Sequence, residues 1–122
     1  MILSFKQEFK EKILDGTKIH SIRLDPGNRW KPGLKIHFAT GVRTKNYHCF
    51  KEGICVSVQK ISIHYHKNTK HYFQDIYVDN KPIDIFRTAL FINDGFNNLY
   101  DFHNFFNESF SGTIVHWTYF RY

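Results

Sequence analysis

Apolar residues at Ile2, Leu3 and Phe5 form a short run that reads as an edge strand. Directly after it, Phe9, Ile13 and Leu14 recur at helical spacing among Lys6, Lys10, Glu11 and Lys12. Ser4 as N-cap and Gly16 as the residue past the end place this helix over 5–15. Residues 17–24 read as a strand entered from that turn, and Asp25-Pro26-Gly27-Asn28 and Pro32-Gly33 are turn signals. Leu34, Ile36 and Phe38 then alternate with Lys35, His37 and Ala39, the period of a half-buried strand that Gly41 ends. Arg43, Lys45 and His48 form a basic connector. The longest strand signal is 54–65: Ile54, Val56 and Val58 share one face, and Ile61, Ile63 and Tyr65 share one too. The parity changes near Lys60, which predicts a β-bulge of the kind that bends strands in small barrels. A return strand over 72–78 leads into an Asp79-Asn80-Lys81-Pro82 turn. Behind Asn98 as cap, with Asp101 at the third helical position, Leu99, Phe102 and Phe106 lie on one face of a second helix. Ser111-Gly112 reads as a turn, and 113–119 as a last strand rich in β-branched and aromatic residues. This order predicts an α+β fold: a small mixed, mainly antiparallel β-barrel with two main helices at its ends.

A chain of 122 residues makes one domain, 1–122, with enough length for a core. Aromatic side chains make up 18% of it, so most rings must be buried, leaving a few to serve as stacking platforms. The formal net charge of +6 favours polyanions such as RNA or DNA, although many lysines are scattered among acids, as a solubilising charge would be. Cys49 and Cys55 are too few for a disulfide scaffold, and their spacing matches no zinc signature. The sequence has neither an apolar run of membrane length nor a signal-peptide pattern at its start. These features point to a cytoplasmic protein with free thiols and no membrane partner.

Candidate chemistry concentrates in 12–36, which holds two turns, several cations, a hydroxyl and a Trp. Metal binding is the weaker idea: His64, His66 and His71 are the best cluster, but no carboxylate or Cys is spaced to complete a set. Outward-facing strand positions account for them better, so neither a metal nor a cofactor is expected. Cys49, next to His48, and Cys55 read as structural thiols. Arg23, Arg29, Lys31, Arg43 and Lys45 flank Trp30 and Tyr47, a pattern in which cations take phosphates and a ring stacks on a base. Trp30 folded back as a lid on the barrel is the competing view. Lys18 and Ser21 lie close together, and Asp94 joins them if the fold brings it there; a desolvated Lys can serve as base for a Ser nucleophile. In a straight strand residues 18 and 21 point to opposite faces, so the set requires Lys18 to remain in the turn after Gly16. On spacing alone, helix capping or turn formation explains Asp94 better.

The segments GTKIHSIR (16–23) and RWKPGLKI (29–36), followed late in the chain by INDGFNNLYDFHNFF (92–106), resemble the ASCH domain. That family's pattern is a helix ending in Gly, then Gly-x-Lys-x-x-Thr-x-Arg, a short loop and a Gly opening a strand, and later Asp/Glu-Gly-Phe ahead of a helix. The resemblance covers nearly the whole chain in order. It implies a PUA-like β-barrel related to RNA-binding modules, with a basic cleft between the first motif and the Asp-Gly-Phe segment. Some small bacterial ASCH proteins are amidohydrolases that remove acetyl from N4-acetylcytidine with a Lys, a Thr and a Glu. By motif these positions become Lys18, Ser21 and Asp94: Ser keeps the hydroxyl, and Asp keeps the charge with a shorter reach. Two activities follow as expectations. In the first, RNA or a nucleotide binds through Lys18, Ser21, Arg23, Arg29, Trp30, Lys31, Arg43 and Lys45. In the alternative, an N4-acetylcytidine-type nucleoside is deacylated by Lys18, Ser21 and Asp94.

Overall fold

Leu3 and Phe5 of the first strand, β1 (Ile2–Phe5), point inward while Ile2 and Ser4 stay exposed. The structure, a computed structural model, describes residues 1–66, 73–83 and 87–122. Helix α1 (Gln7–Leu14) starts later than a Ser4 cap would place it, because Ser4 is still in the strand; Lys6, extended at φ −67 and ψ 151, holds the N-cap position without a side-chain bond. Phe9 and Ile13 form the buried stripe of α1. The helix ends where the sequence indicates, with Gly16 at φ +86, a conformation that costs glycine nothing. The Lys18 amide then donates to the Lys12 carbonyl at 2.9 Å, so the chain wraps the helix end and Lys18 precedes β2 (His20–Arg23) instead of lying in it.

The remaining elements are β3 (Lys35–Thr40), β4 (His48–Ile54), β5 (Ser57–His66), β6 (Phe73–Val78), β7 (Lys81–Pro82), α2 (Arg87–Asn93), α3 (Leu99–Phe105) and β8 (Phe110–His116). β1 pairs in parallel with β3, and β3 antiparallel with β4, giving a three-stranded sheet β1-β3-β4. The second sheet is antiparallel throughout, in the order β2-β8-β5-β6-β7. The fold is α+β and mainly antiparallel, but neither sheet closes into the expected barrel. Cys55 and Val56 carry the chain from one sheet to the other, and the edges β1 and β2 are joined by a side chain, the Arg23 Nη2 donating to the Ser4 carbonyl, with no ladder between them. Apolar residues gather in two clusters. Ile22, Ile61, Ile63, Leu90, Phe91, Phe102 and Ile114 belong to one, and Leu3, Phe9, Ile13, Trp30, Ile36, Phe38 and Val115 to the other. β8 feeds both, Ile114 from one face and Val115 from the other, and Phe96 packs against each.

Several local expectations are corrected. β5 has no bulge: Ser57 to Ile63 pair with His116 to Phe110 without a break. Its inward face holds Ser57, Gln59, Ile61 and Ile63, all buried, so the apparent change of parity is a change from polar to apolar on one face. The register shift lies between Phe38 and Ala39 instead, and it leaves Ala39 and Thr40 both buried. Ile54 ends the largely exposed strand β4 instead of opening β5, and of the expected basic connector β4 takes in His48 alone. Ser111 and Gly112 are inside β8, paired with Ser62 and Ile61, and that strand stops at His116. Asn98 does cap α3, accepting from the Asp101 amide at 2.9 Å, but Leu99 is exposed, and a further helix, α2, precedes the cap. Asp79 and Asn80, at φ +50 and +64, make the predicted turn, a two-residue hairpin between β6 and β7. Tyr72, the start of the expected return strand, lies outside the described residues.

A Cβ on Gly112 would stand 2.5 Å from the Arg23 carbonyl oxygen and 2.5 Å from the Phe110 ring. Gly112→Ala therefore lowers stability by about 1–3 kcal/mol, the usual cost of overpacking, which urea denaturation measures as a reduced midpoint.

Candidate functional site

Because Lys18 is still in the turn, its amine reaches across to the loop after α2. Lys18 Nζ donates to the Asp94 backbone carbonyl at 2.5 Å and to Asp94 Oδ1 at 3.1 Å. Both residues are 3% exposed. The same Oδ1 lies 3.2 Å from His20 Nδ1, and His20 Nε2 lies 2.6 Å from the Tyr122 hydroxyl. That hydroxyl also accepts from Asn93 Nδ2 at 3.2 Å. Two features hold the loop against the helix end. Lys12 Nζ donates to the Gly95 carbonyl and to Asn97 Oδ1, each at 2.6 Å. Gly95 sits at φ +93, where a Cβ would come 2.9 Å from the Phe9 ring and 3.0 Å from Lys18 Cδ, so only glycine admits this approach.

Ser21 and Arg23 alternate with His20 and Ile22 along β2 and share its other face. Arg23 Nε donates to Ser21 Oγ at 2.8 Å, and the guanidinium lies 4.8 Å from the centre of the Phe5 ring. Lys18 Nζ stands 5.1 Å from the centre of Phe9 and 5.7 Å from that of Phe5. Lys18, Ser21, Arg23 and Asp94 line one cleft of about 1330 Å³. Its walls are mostly apolar, with Phe5, Phe9, Phe96 and Phe105 among them, and Lys6, Arg43 and Tyr47 also contribute. Convergent polar groups on an apolar, aromatic hollow are the usual form of a small-ligand site.

The electrostatics follow from burial. Desolvation pushes the Lys18 amine toward its neutral form; Asp94 pulls the other way, and the net is an amine that gives up its proton more easily than an ordinary lysine. Burial also opposes the Asp94 charge, but the Lys18 ammonium and the His20 hydrogen bond outweigh it, and the carboxyl titrates below its usual range. Burial lowers His20, against the pull of Asp94, and raises Tyr122. Beyond Tyr122 the polar core continues. The Tyr122 amide donates to Gln59 Oε1 at 2.9 Å, and His116 Nε2 lies 3.0 Å from that same oxygen.

The expected residues thus separate into two groups. Lys18, Ser21, Arg23, Arg43 and Asp94 meet on the cleft, whereas Arg29, Trp30, Lys31 and Lys45 do not line it. The Asp25 carboxylate explains the division, taking the Arg29 amide at 2.8 Å and the Trp30 amide at 3.0 Å. It folds the turn so that Trp30 drops into the second apolar cluster, 8% exposed, and cannot stack on a ligand. Arg29, Lys31 and Lys45 point to solvent. Asp94 is neither the cap of α3 nor a surface turn residue. His20 is the functional candidate the residue pattern did not single out; its signal was a polar residue with the parity of the buried Ile22. Asn93 and Tyr122 carried no such signal. Among the described residues no group of His, Cys, Asp or Glu is arranged to hold a metal, and His71 lies outside them. Cys49 and Cys55 are free thiols, the second fully buried.

His116 tests the polar core by pH. Burial and the neighbouring His20 bring it down to about 3 from an ordinary value of 6.5. Between those values the unfolded chain binds a proton that the folded chain refuses, so stability falls as pH drops from about 6.5 toward 3. His116→Gln, which keeps a donor for Gln59 but cannot be protonated, has a shallower dependence, read from urea midpoints between pH 7 and pH 4. None of the protein-family models, curated proteins or solved structures compared with this chain matches it.

Proposed function

We propose that the cleft is the active site of a small amidohydrolase that removes an acyl group from the exocyclic amine of a cytidine-type nucleoside. The carrying observation is the 3.1 Å contact between Lys18 Nζ and Asp94 Oδ1, buried on the same cleft that Ser21, itself 4% exposed, also lines. A buried ion pair adds little to stability, whereas strongly perturbed ionisable groups gather at working sites. Ser21 Oγ attacks the amide carbonyl and its proton passes to the Lys18 amine, whose burial favours the neutral form that accepts it. Arg23, which lines the same cleft, leaves Ser21 Oγ as the substrate binds and supports the negative charge that develops on the carbonyl oxygen. Lys18 then returns the proton to the departing exocyclic nitrogen, the C–N bond breaks, and water hydrolyses the resulting Ser21 ester. Asp94 orients Lys18 throughout. The Phe96 and Phe105 walls suit a pyrimidine ring, and Arg43 and Lys6 suit a phosphate or ribose. The free thiols fit a cytoplasmic setting.

One observation favours a second reading, binding of an RNA segment or nucleotide without chemistry. Ser21 Oγ is engaged by Arg23, and the hydrogen bonds of Lys18 Nζ go to Asp94 instead of to Ser21. In that case affinity is carried by Arg23, Arg43 and Lys6 and falls with added salt.

Incubation with N4-acetylcytidine, followed by chromatography, is expected to yield cytidine and acetate. Ser21→Ala lowers the rate by a factor on the order of 100–10,000 with the fold intact. Lys18→Ala is also inactive, but it removes the cation from the buried Asp94 carboxylate, leaving it the His20 contact, and costs about 3–5 kcal/mol of stability, so the serine variant is the cleaner probe. An unchanged substrate peak from folded protein rejects the hydrolase; calorimetric titration with a nucleotide at two salt concentrations then tests the binder.

A further inference from the structure

The chain of contacts behind Asp94 runs in one direction only. Asn93 Nδ2 can only donate to the Tyr122 oxygen, at 3.2 Å, and that hydroxyl has its own hydrogen to give to His20 Nε2, at 2.6 Å. A His20 that accepts at Nε2 carries its hydrogen on Nδ1, which faces Asp94 Oδ1 at 3.2 Å. The carboxylate can only accept there. Each donor and acceptor has a partner of the opposite kind, and reversing His20 would set a lone pair against the carboxylate. His20 is fully buried, with the His116 ring 5.3 Å away edge-on and Lys18 on the far side of the carboxylate. Water therefore does not reach His20 itself.

We propose that His20 is a positioning residue for this site: held in its Nδ1–H form by Tyr122, it fixes the Asp94 carboxylate so that the carboxylate aims Lys18 at the cleft. His20 and Tyr122 are not among the residues lining the cleft, so they act through Asp94 and not on the ligand. The inference rests on the hydrolase reading for its effect on rate, but its structural content stands without it.

Nitrogen-15 NMR of the imidazole rings at pH 7 reads the form of His20 directly. The wild-type protein shows hydrogen on Nδ1 and a bare, hydrogen-bonded Nε2, and Tyr122→Phe, which removes the donor to Nε2, moves the Nε2 resonance to that of a bare nitrogen without a hydrogen bond. A wild-type spectrum with hydrogen on Nε2, or a Tyr122→Phe spectrum identical to wild type, overturns the proposal. In kinetics with N4-acetylcytidine, Tyr122→Phe lowers kcat by roughly 10–100-fold, the scale of partners that orient a working histidine, while KM stays within about twofold. His20→Asn, which restores an N–H near the Nδ1 position, retains more kcat than His20→Leu; equal values for the two overturn the positioning role. Should the wild-type protein hydrolyse nothing, the NMR arm still decides whether His20 is held as described, and only the hydrolase reading falls.

Discussion

A carboxylate sits in the core of this protein, and three parts of the chain are held together by the need to satisfy it. Removing a charged group from water costs on the order of several kcal/mol unless donors replace the lost solvent. Asp94 receives those donors from the turn after α1, through Lys18, and from the start of β2, through His20. Tyr122 and Asn93 then complete His20. Withdrawing either partner would leave the other uncompensated, so the loop after α2 cannot drift from the end of α1 without a large penalty. Lys12 and Gly95 reinforce the junction, one by hydrogen bonds and the other by permitting close approach. The result is a rigid polar centre, a condition for chemistry that depends on sub-ångström placement.

The cleft exists because the two sheets do not join. β1 and β2 are edge strands of different sheets, and Arg23 reaches across between them. An exposed edge is ordinarily a hazard for aggregation. Here a cation, the aromatic wall and the α2–α3 loop occupy that edge, so the gap becomes a lined hollow. The faces of β2 divide the labour. Ser21 and Arg23 share the face toward the cleft, while His20 turns into the core and Ile22 joins the apolar cluster and also borders the cleft. β5 divides along its length instead: its one inward face is polar at Ser57 and Gln59 and apolar at Ile61 and Ile63.

Period and punctuation determined the local elements. The helix ending at Gly16, the strand through Ile36 and Phe38, the Asp79-Asn80 turn and the Asn98 cap could all be read from residues, since each rests on contacts within a few positions. The requirement that Lys18 stay in the turn for a Lys–Ser–Asp set was likewise a local steric argument. Two errors share one cause. The bulge assigned near Lys60 and the turn assigned to Ser111-Gly112 both assumed that inward positions are apolar and that Gly breaks strands. Gln59 faces inward because distant His116 and Tyr122 complete it, and Gly112 is required by the Arg23 carbonyl of a strand far away in sequence.

Tertiary structure alone decided which charges work together. By sequence, Arg29, Lys31 and Lys45 stood as close to the motif as Arg43, and Asp94 looked more like a cap than a core carboxylate. Closure of the Asp25 turn sent Trp30 into the core and its neighbouring cations to solvent, and the charge of Lys18 and the hydrogen bond of His20, outweighing burial, gave Asp94 its lowered titration range. Local preference acts over a few bonds and is written in the order of residues. Desolvation and ion pairing depend on which groups remain after water is excluded, and that is settled only when segments 76 residues apart, such as those of Lys18 and Asp94, are packed against each other.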